Sequence, residues 1–243
     1  MQLQTPMLTL LAAAVSALIA GHSVAAELSI NPVLLDLVAP AAASVLTLRV
    51  SGEDATIQVR VMRWTEVGGK ELLTPTGDVV ASPPIVKVTP NADYVIRIVR
   101  VAPQPVVGEE SYRVLVDQLP NLAHQSGQAV KILIRQSIPV FFQSPDLAPP
   151  KVSWSLVRQN GMAVLRATNA GYERLRIASL KLHDAAGTVS FGDGLNGYVL
   201  AHSSMDWVLP QAASRLGTNE PVTVSAVSDR GPVNATADPR ASP

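Results

Sequence analysis

The chain has 243 residues, with 19 Lys and Arg against 19 Asp and Glu, and no cysteine. The charge balance leaves no net field to draw in nucleic acid or an anionic membrane surface. Without thiols there is no disulfide, no thiolate metal site and no cysteine nucleophile, so stability has to come from packing.

The first predicted element is an apolar run at residues 8–20 (LTLLAAAVSALIA), too short to span a bilayer comfortably and followed by the small residues Val24-Ala25-Ala26. Residues 1–26 are expected to be a secretory signal cut after Ala26, although the segment before the run, MQLQTPM, carries no Lys or Arg. The 217 residues that follow (243 − 26) suit two domains of roughly 100 residues, each able to bury a core. No second hydrophobic span follows, so the exported protein is expected to be soluble, without membrane insertion.

From there, short β-branched and aliphatic runs alternate with turn residues. Residues 45–50 (VLTLRV), 56–64 (TIQVRVMRW), 94–101 (YVIRIVRV), 111–116 (SYRVLV) and 130–134 (VKILI) read as strands. Gly68-Gly69, Pro75-Thr76-Gly77, Ser82-Pro83-Pro84, Pro90-Asn91 and Gly108 separate them. Residues 143–150 (QSPDLAPP) hold three prolines, which stop ladder pairing and stiffen the chain, and they mark the expected domain junction. A second set of runs follows at 152–157, 162–168, 175–182, 198–200, 205–209 and 222–226. The pattern predicts an all-β protein of two sandwiches, residues 27–145 and 146–229, the second smaller and less regular. Residues 230–243 (RGPVNATADPRASP) lack an apolar cluster and are expected to be a disordered tail.

Signs of catalysis are missing from the sequence. Beyond residue 26 only His124, His183 and His202 remain, without a metal-binding spacing, so neither a metal nor another cofactor is expected. Glu109 and Glu110 are adjacent on a predicted strand and point to opposite faces, which suits a solvated strand entry better than acid–base work. No serine sits in a nucleophile elbow and no glycine pattern forms a phosphate loop, so the reading is that of a non-enzyme.

Several segments together resemble a known family. Residues 58–64 (QVRVMRW), Ser82-Pro83-Pro84-Ile85, 91–97 (NADYVIR), 109–120 (EESYRVLVDQLP), the strand 130–142 ending in Ile138-Pro139-Val140-Phe141-Phe142, and Gly197-Tyr198-Val199-Leu200 with Trp207-Val208-Leu209-Pro210 share the order and spacing of PapD-like periplasmic pilus chaperones. The resemblance covers roughly residues 27–229. It implies two immunoglobulin-like β-sandwich domains arranged as a boomerang. It also implies a periplasmic carrier that folds and caps pilus subunits by donor-strand complementation and hands them to an outer-membrane usher. The competing reading is an exported structural or adhesive protein of two such domains.

Donor-strand complementation is β-augmentation: main-chain hydrogen bonds give affinity and alternate side chains fill a groove. On the resemblance, the donor residues are Val130, Ile132 and Ile134; periodicity alone would equally let them face their own core. Members of the better-known branch grip the subunit's terminal carboxylate with an arginine from the first strand and a lysine late in the donor strand. Neither Asn31-Pro32-Val33-Leu34-Leu35 nor Ser137-Ile138-Pro139-Val140 contains a basic residue, a pattern more like the divergent, archaic branch. The candidates for the anchor are Arg113 and Arg135, then Lys131, because a guanidinium fork binds a carboxylate in bidentate fashion. The plain alternative for each is a solvated strand residue or a partner of Asp117 or Glu109. Trp64 and Tyr112 are expected in the core, and Arg97 in a structural role with its head bonded to a loop.

Overall fold

A computed structural model of the protein describes residues 28–120, 133–159, 162–185, 187–210 and 222–239, and among these there is no helix. The first ten strands are β1 (Leu28–Asn31), β2 (Leu35–Val38), β3 (Ala43–Val50), β4 (Ala55–Val67), β5 (Lys70–Pro75), β6 (Val79–Ser82), β7 (Ile85–Val88), β8 (Tyr94–Arg100), β9 (Glu109–Leu119) and β10 (Arg135–Gln143). They form two sheets, ordered β1-β3-β8-β6 and β2-β10-β9-β4-β5, with β7 pairing the first half of β4. Period-two alternation decides which faces meet. Leu46, Leu48 and Val50 of β3, Ile57 and Val59 of β4, Ile96 and Ile98 of β8, and Ile138, Val140 and Phe142 of β10 share one core with Tyr112, Val114 and Val116 of β9.

The second half contributes β11 (Val152–Gln159), β12 (Met162–Asn169), β13 (Leu175–Asp184), β14 (Gly187–Ser190), β15 (Leu195–Val199), β16 (Ser203–Val208), β17 (Val222–Ser228) and β18 (Gly231–Pro239). These join in one eight-stranded sheet, β14-β13-β17-β18-β11-β12-β16, with β15 also on β13. Trp154 of β11, Leu165 of β12, Ile177 and Leu182 of β13, Trp207 of β16, Val224 of β17 and Ala237 of β18 lie in a single core, so the sheet folds over on itself. The fold is all-β, as the sequence predicts, but this half is one continuous sheet rather than a smaller separate pair.

The expected disordered tail is corrected. Residues 231–239 form β18, paired antiparallel with β17 and parallel with β11. A strand inside a sheet satisfies its main chain on both sides, so small side chains such as Ala235 and Ala237 suffice where an apolar cluster is missing. Of the proline-rich stretch 143–150, Gln143 closes β10 and residues 144–150 carry no strand.

Candidate functional site

The feature that sets β10 apart is its uneven pairing. Along its whole length it pairs antiparallel with β9, from Arg135 opposite Asp117 to Gln143 opposite Glu109. On its other side β2 covers only Val140–Gln143, in parallel. Among the described residues no strand covers Arg135, Gln136, Ser137, Ile138 or Pro139 there. The Gln118 amide donates to the Ile134 carbonyl, so even-numbered residues direct their main-chain groups to β9 and odd-numbered ones to the far side. The uncovered edge therefore offers the N–H groups and the carbonyls of Arg135 and Ser137, the Pro139 carbonyl being taken up by the parallel pairing with Leu35. Pro139 brings no donor, so the ladder available to an incoming strand stops there.

Of the three predicted donor residues, Val130 and Ile132 lie outside the described residues, as does Lys131. Ile134 is half-buried and immediately precedes β10. Its parity puts it on the face that carries Ile138, Val140 and Phe142, while Gln136, between them, already spends its Nε2 on the Leu28 carbonyl at 2.8 Å. The domain's own apolar core on this face ends at Ile138.

Where the open edge ends, a cleft of about 670 Å³ opens between the two halves of the molecule. Val33, Leu34 and Pro139 line it from the first half, Leu195 and Tyr198 from the second, and Arg113 and Arg176 also reach it. Arg113 stands opposite Pro139 in the β9–β10 register, on the sheet face turned away from the core. Its guanidinium lies 3.7 Å from the centroid of the Trp64 ring and its Nε is 3.1 Å from Glu71 Oε1, with its side chain 13% exposed. Arg176, opposite Tyr198 on β13, is half-buried and has no ion pair or side-chain hydrogen bond among the described residues.

Arg135 is not brought to this place. It is four positions before Pro139 on the same face, about 13 Å back along the strand. There it donates to Asp117 Oδ1 while Arg60 holds Oδ2 at 2.7 Å. Burial works against the Asp117 charge, but Arg135 and Arg60 together outweigh it and hold the carboxyl below its ordinary range. The two arginines therefore do not converge, and Arg135 takes the plainer role of an Asp117 partner with its side chain 63% exposed.

A second group of residues knits the halves together. Trp64, Phe141, Tyr198 and Leu200 form a small buried cluster, with Trp64 edge-on to Tyr198 at 5.3 Å between centroids. Beneath it Arg174 reaches Glu109 at 2.5 Å and Asp36 at 2.6 Å, and its guanidinium lies 3.6 Å from the Phe141 centroid. Burial raises the Glu109 carboxyl despite the opposing pull of Arg174 and Gln143. The expectation of a solvated Glu109-Glu110 pair is thus corrected, though the two do diverge: Glu109 turns to Arg174, and Glu110 binds Arg100 through both oxygens at 2.8 Å. Of the two aromatics expected in the core, Tyr112 lies in that of the first half and Trp64 in the seam. Arg97 is exposed on the outer face, without the expected loop bond among the described residues. No cluster of three metal-ligating side chains occurs there either.

The family of pili and flagellar-assembly chaperones, through its PapD N-terminal domain, matches residues 27–148. The chain belongs to this family. No curated protein sequence matches the chaperone. Its fold is shared by several solved structures. The chaperone–tip adhesion subunit complex CsuC–CsuE of the archaic Csu pili of Acinetobacter baumannii is similar over 88% of this chain and 99% of that one, at 24% identity and a TM-score of 0.70. The E. coli chaperone DraB is similar over 88% and 98%, at 17% identity and a TM-score of 0.58. The complex of Salmonella enterica SafA pilin with the SafB chaperone is similar over 86% and 96%, at 14% identity and a TM-score of 0.58.

Arg174, Arg176 and Glu66 carry no signal in the sequence. Arg174 and Glu66 acquire their roles from partners many residues away, Glu109 and Ser203, and Arg176 from its place beside the cleft.

Proposed function

We propose that the protein is a periplasmic chaperone that captures pilus subunits by β-augmentation on β10, caps them, and delivers them to an outer-membrane usher. The observation that carries this reading is the uncovered edge of β10 running into a cleft lined by three arginines, of which Arg174 is already paired with Asp36 and Glu109. A subunit strand laid on Arg135–Ser137 takes main-chain bonds from the edge. In this reading Val130, Ile132 and Ile134 fill the groove left by the subunit's missing strand, each contributing about 1.5–3 kcal/mol before ordering costs. The signal at residues 1–26 directs the chain to the periplasm, and the work of carrying a subunit needs neither catalysis nor a cofactor. The SafB and CsuC structures, solved with a pilin and a tip subunit, support a subunit partner by analogy of fold.

Subunit termini entering the cleft meet Arg113, and Arg176 is the second cation within reach. A buried carboxylate without a cation would cost several kcal/mol, and a charge-assisted hydrogen bond is worth about 1.5–3 kcal/mol. Arg135 and Lys131 come earlier on the donor segment and are secondary candidates.

The test is recovery of co-expressed subunit on tagged chaperone purified from periplasm. Ile132→Asp is expected to abolish capture with the free chaperone's melting temperature unchanged. Arg113→Ala and Arg176→Gln are each expected to lower recovery about tenfold, and Arg135→Ala by less than twofold. Wild-type recovery by Ile132→Asp overturns the donor strand. Wild-type recovery by both Arg113→Ala and Arg176→Gln moves the anchor out of the cleft.

A further inference from the structure

Glu66 sits near the end of β4, where the first domain touches the second. Its Oε2 accepts the Leu200 amide at 3.0 Å and the Ser203 hydroxyl, both from the second domain. Three residues on, the Gly69 carbonyl accepts the Asp206 amide at 2.9 Å, and Gly69 forms a parallel bridge with Met205. The β4–β5 turn is thus sewn to β16 by main-chain bonds, with a carboxylate at the centre of the stitch.

The groups around that carboxylate do not supply a cation of its own. Glu71 stands directly opposite on β5, a like charge, and engages Arg113 of β9. Across the polar groove on one side Arg166 of β12 is bound through two nitrogens to Asp206 of β16, both at 2.7 Å. On the other side, in a small cavity of about 240 Å³, Arg63 is taken by the Tyr112 hydroxyl and Glu109 by Arg174. His202, beside Ser203, lines both spaces and packs edge-on against Tyr172. Glu66 is left half-buried in the seam: its two neutral donors favour the charged form, but partial desolvation and the neighbouring Glu71 carboxylate favour the neutral form and outweigh them.

We propose that Glu66 makes the closure of the two domains proton-sensitive, tight when Glu66 is neutral and looser when it is ionised. Burial first, opposed by the Ser203 and Leu200 bonds and by Arg113 and reinforced by Glu71, raises this carboxyl to about 7 in the closed molecule. Opening the seam returns it to water and to the ordinary carboxylate range. A carboxyl raised by closure stabilises the closed form most at acid pH, and that contribution is lost as pH rises through about 7. With that value the closing equilibrium weakens about tenfold between pH 6 and pH 8. The proposal concerns the free chain and does not depend on what the cleft binds.

Native-state hydrogen exchange of the Asp206 amide tests it, because that bond crosses the seam without touching Glu66. After correction for intrinsic exchange, its protection is expected to fall about tenfold from pH 6 to pH 8 in the wild type. In Glu66→Gln it is expected to change less than twofold, while the core amides of Ile57 and Leu165 behave alike in both proteins. The titration of the Glu66 carboxyl carbon by NMR in the wild type needs no variant and is expected to centre near 7. A midpoint near 4.5, or the same pH dependence of Asp206 in both proteins, overturns the proposal.

Discussion

Arg174 shows how one side chain can hold two domains in register. It is 3% exposed, its Glu109 partner is fully buried, and the planar head also covers Phe141. An ion pair this deep adds little net stability, because desolvating both charges offsets their attraction; removing one partner is another matter, because it leaves the other charged and dry. Arg174→Met is expected to cost about 3–5 kcal/mol, read as a lower denaturant midpoint at unchanged slope. The double variant Arg174→Met, Glu109→Leu is expected to recover most of that loss. Asp36, the more exposed partner, can rehydrate, so its loss should matter less. Arg113, by contrast, rests on Trp64 by a cation–π contact at the surface of the seam, where it keeps a face towards the cleft.

At the scale of elements, β10 does two jobs along one strand. Its last four residues are locked between β9 and β2, and its first five have β9 alone among the described residues. The firm half fixes the direction and register of the open half. The β4–β5 turn is equally specific. Gly69 adopts φ +77°, and a Cβ there would lie 2.2 Å from Asp206 Cγ, itself pinned by Arg166. Gly69→Ala is expected to break the bridge to Met205 at a cost of about 1–3 kcal/mol. Calorimetry checks this: a single cooperative transition in the parent should separate into two, one for each domain, in the variant.

For the whole molecule, residues 231–239 belong to the second core. Because β18 lies between β17 and β11, deleting residues 231–243 leaves each of these two interior strands unpaired on one side and uncovers the space Ala237 fills. A chain ending at Arg230 is expected to keep the first domain folded and lose the second. Fluorescence reports this directly, since Trp154 and Trp207 stack at 6.0 Å inside the second core and should shift to the red. Retention of the wild-type spectrum would instead restore the reading of these residues as a dispensable tail.

Period-two runs such as TIQVRV and YVIRIV, punctuated by glycine and proline, were enough to predict an all-β chain in two parts, because alternation and turn chemistry are local properties. The shared order of those runs also pointed to the chaperone family. Long-range pairing was not legible. Residues 231–239 read as a tail because the sequence shows side chains, whereas β18 is held by main-chain bonds to strands on both sides. Glu109 read as solvated because its partner, Arg174, lies 65 residues away. Arg113 and Arg135 looked alike as outward strand arginines; the register set one beside the cleft and the other on Asp117. Arg176 and Glu66 drew no notice, since a charged residue gains a role only from what surrounds it. The sequence by itself determined the strands and the family. Which charges are buried, which edge stays open and where the two domains touch were decided by tertiary structure, because desolvation and ion pairing depend on distances that only the folded chain sets.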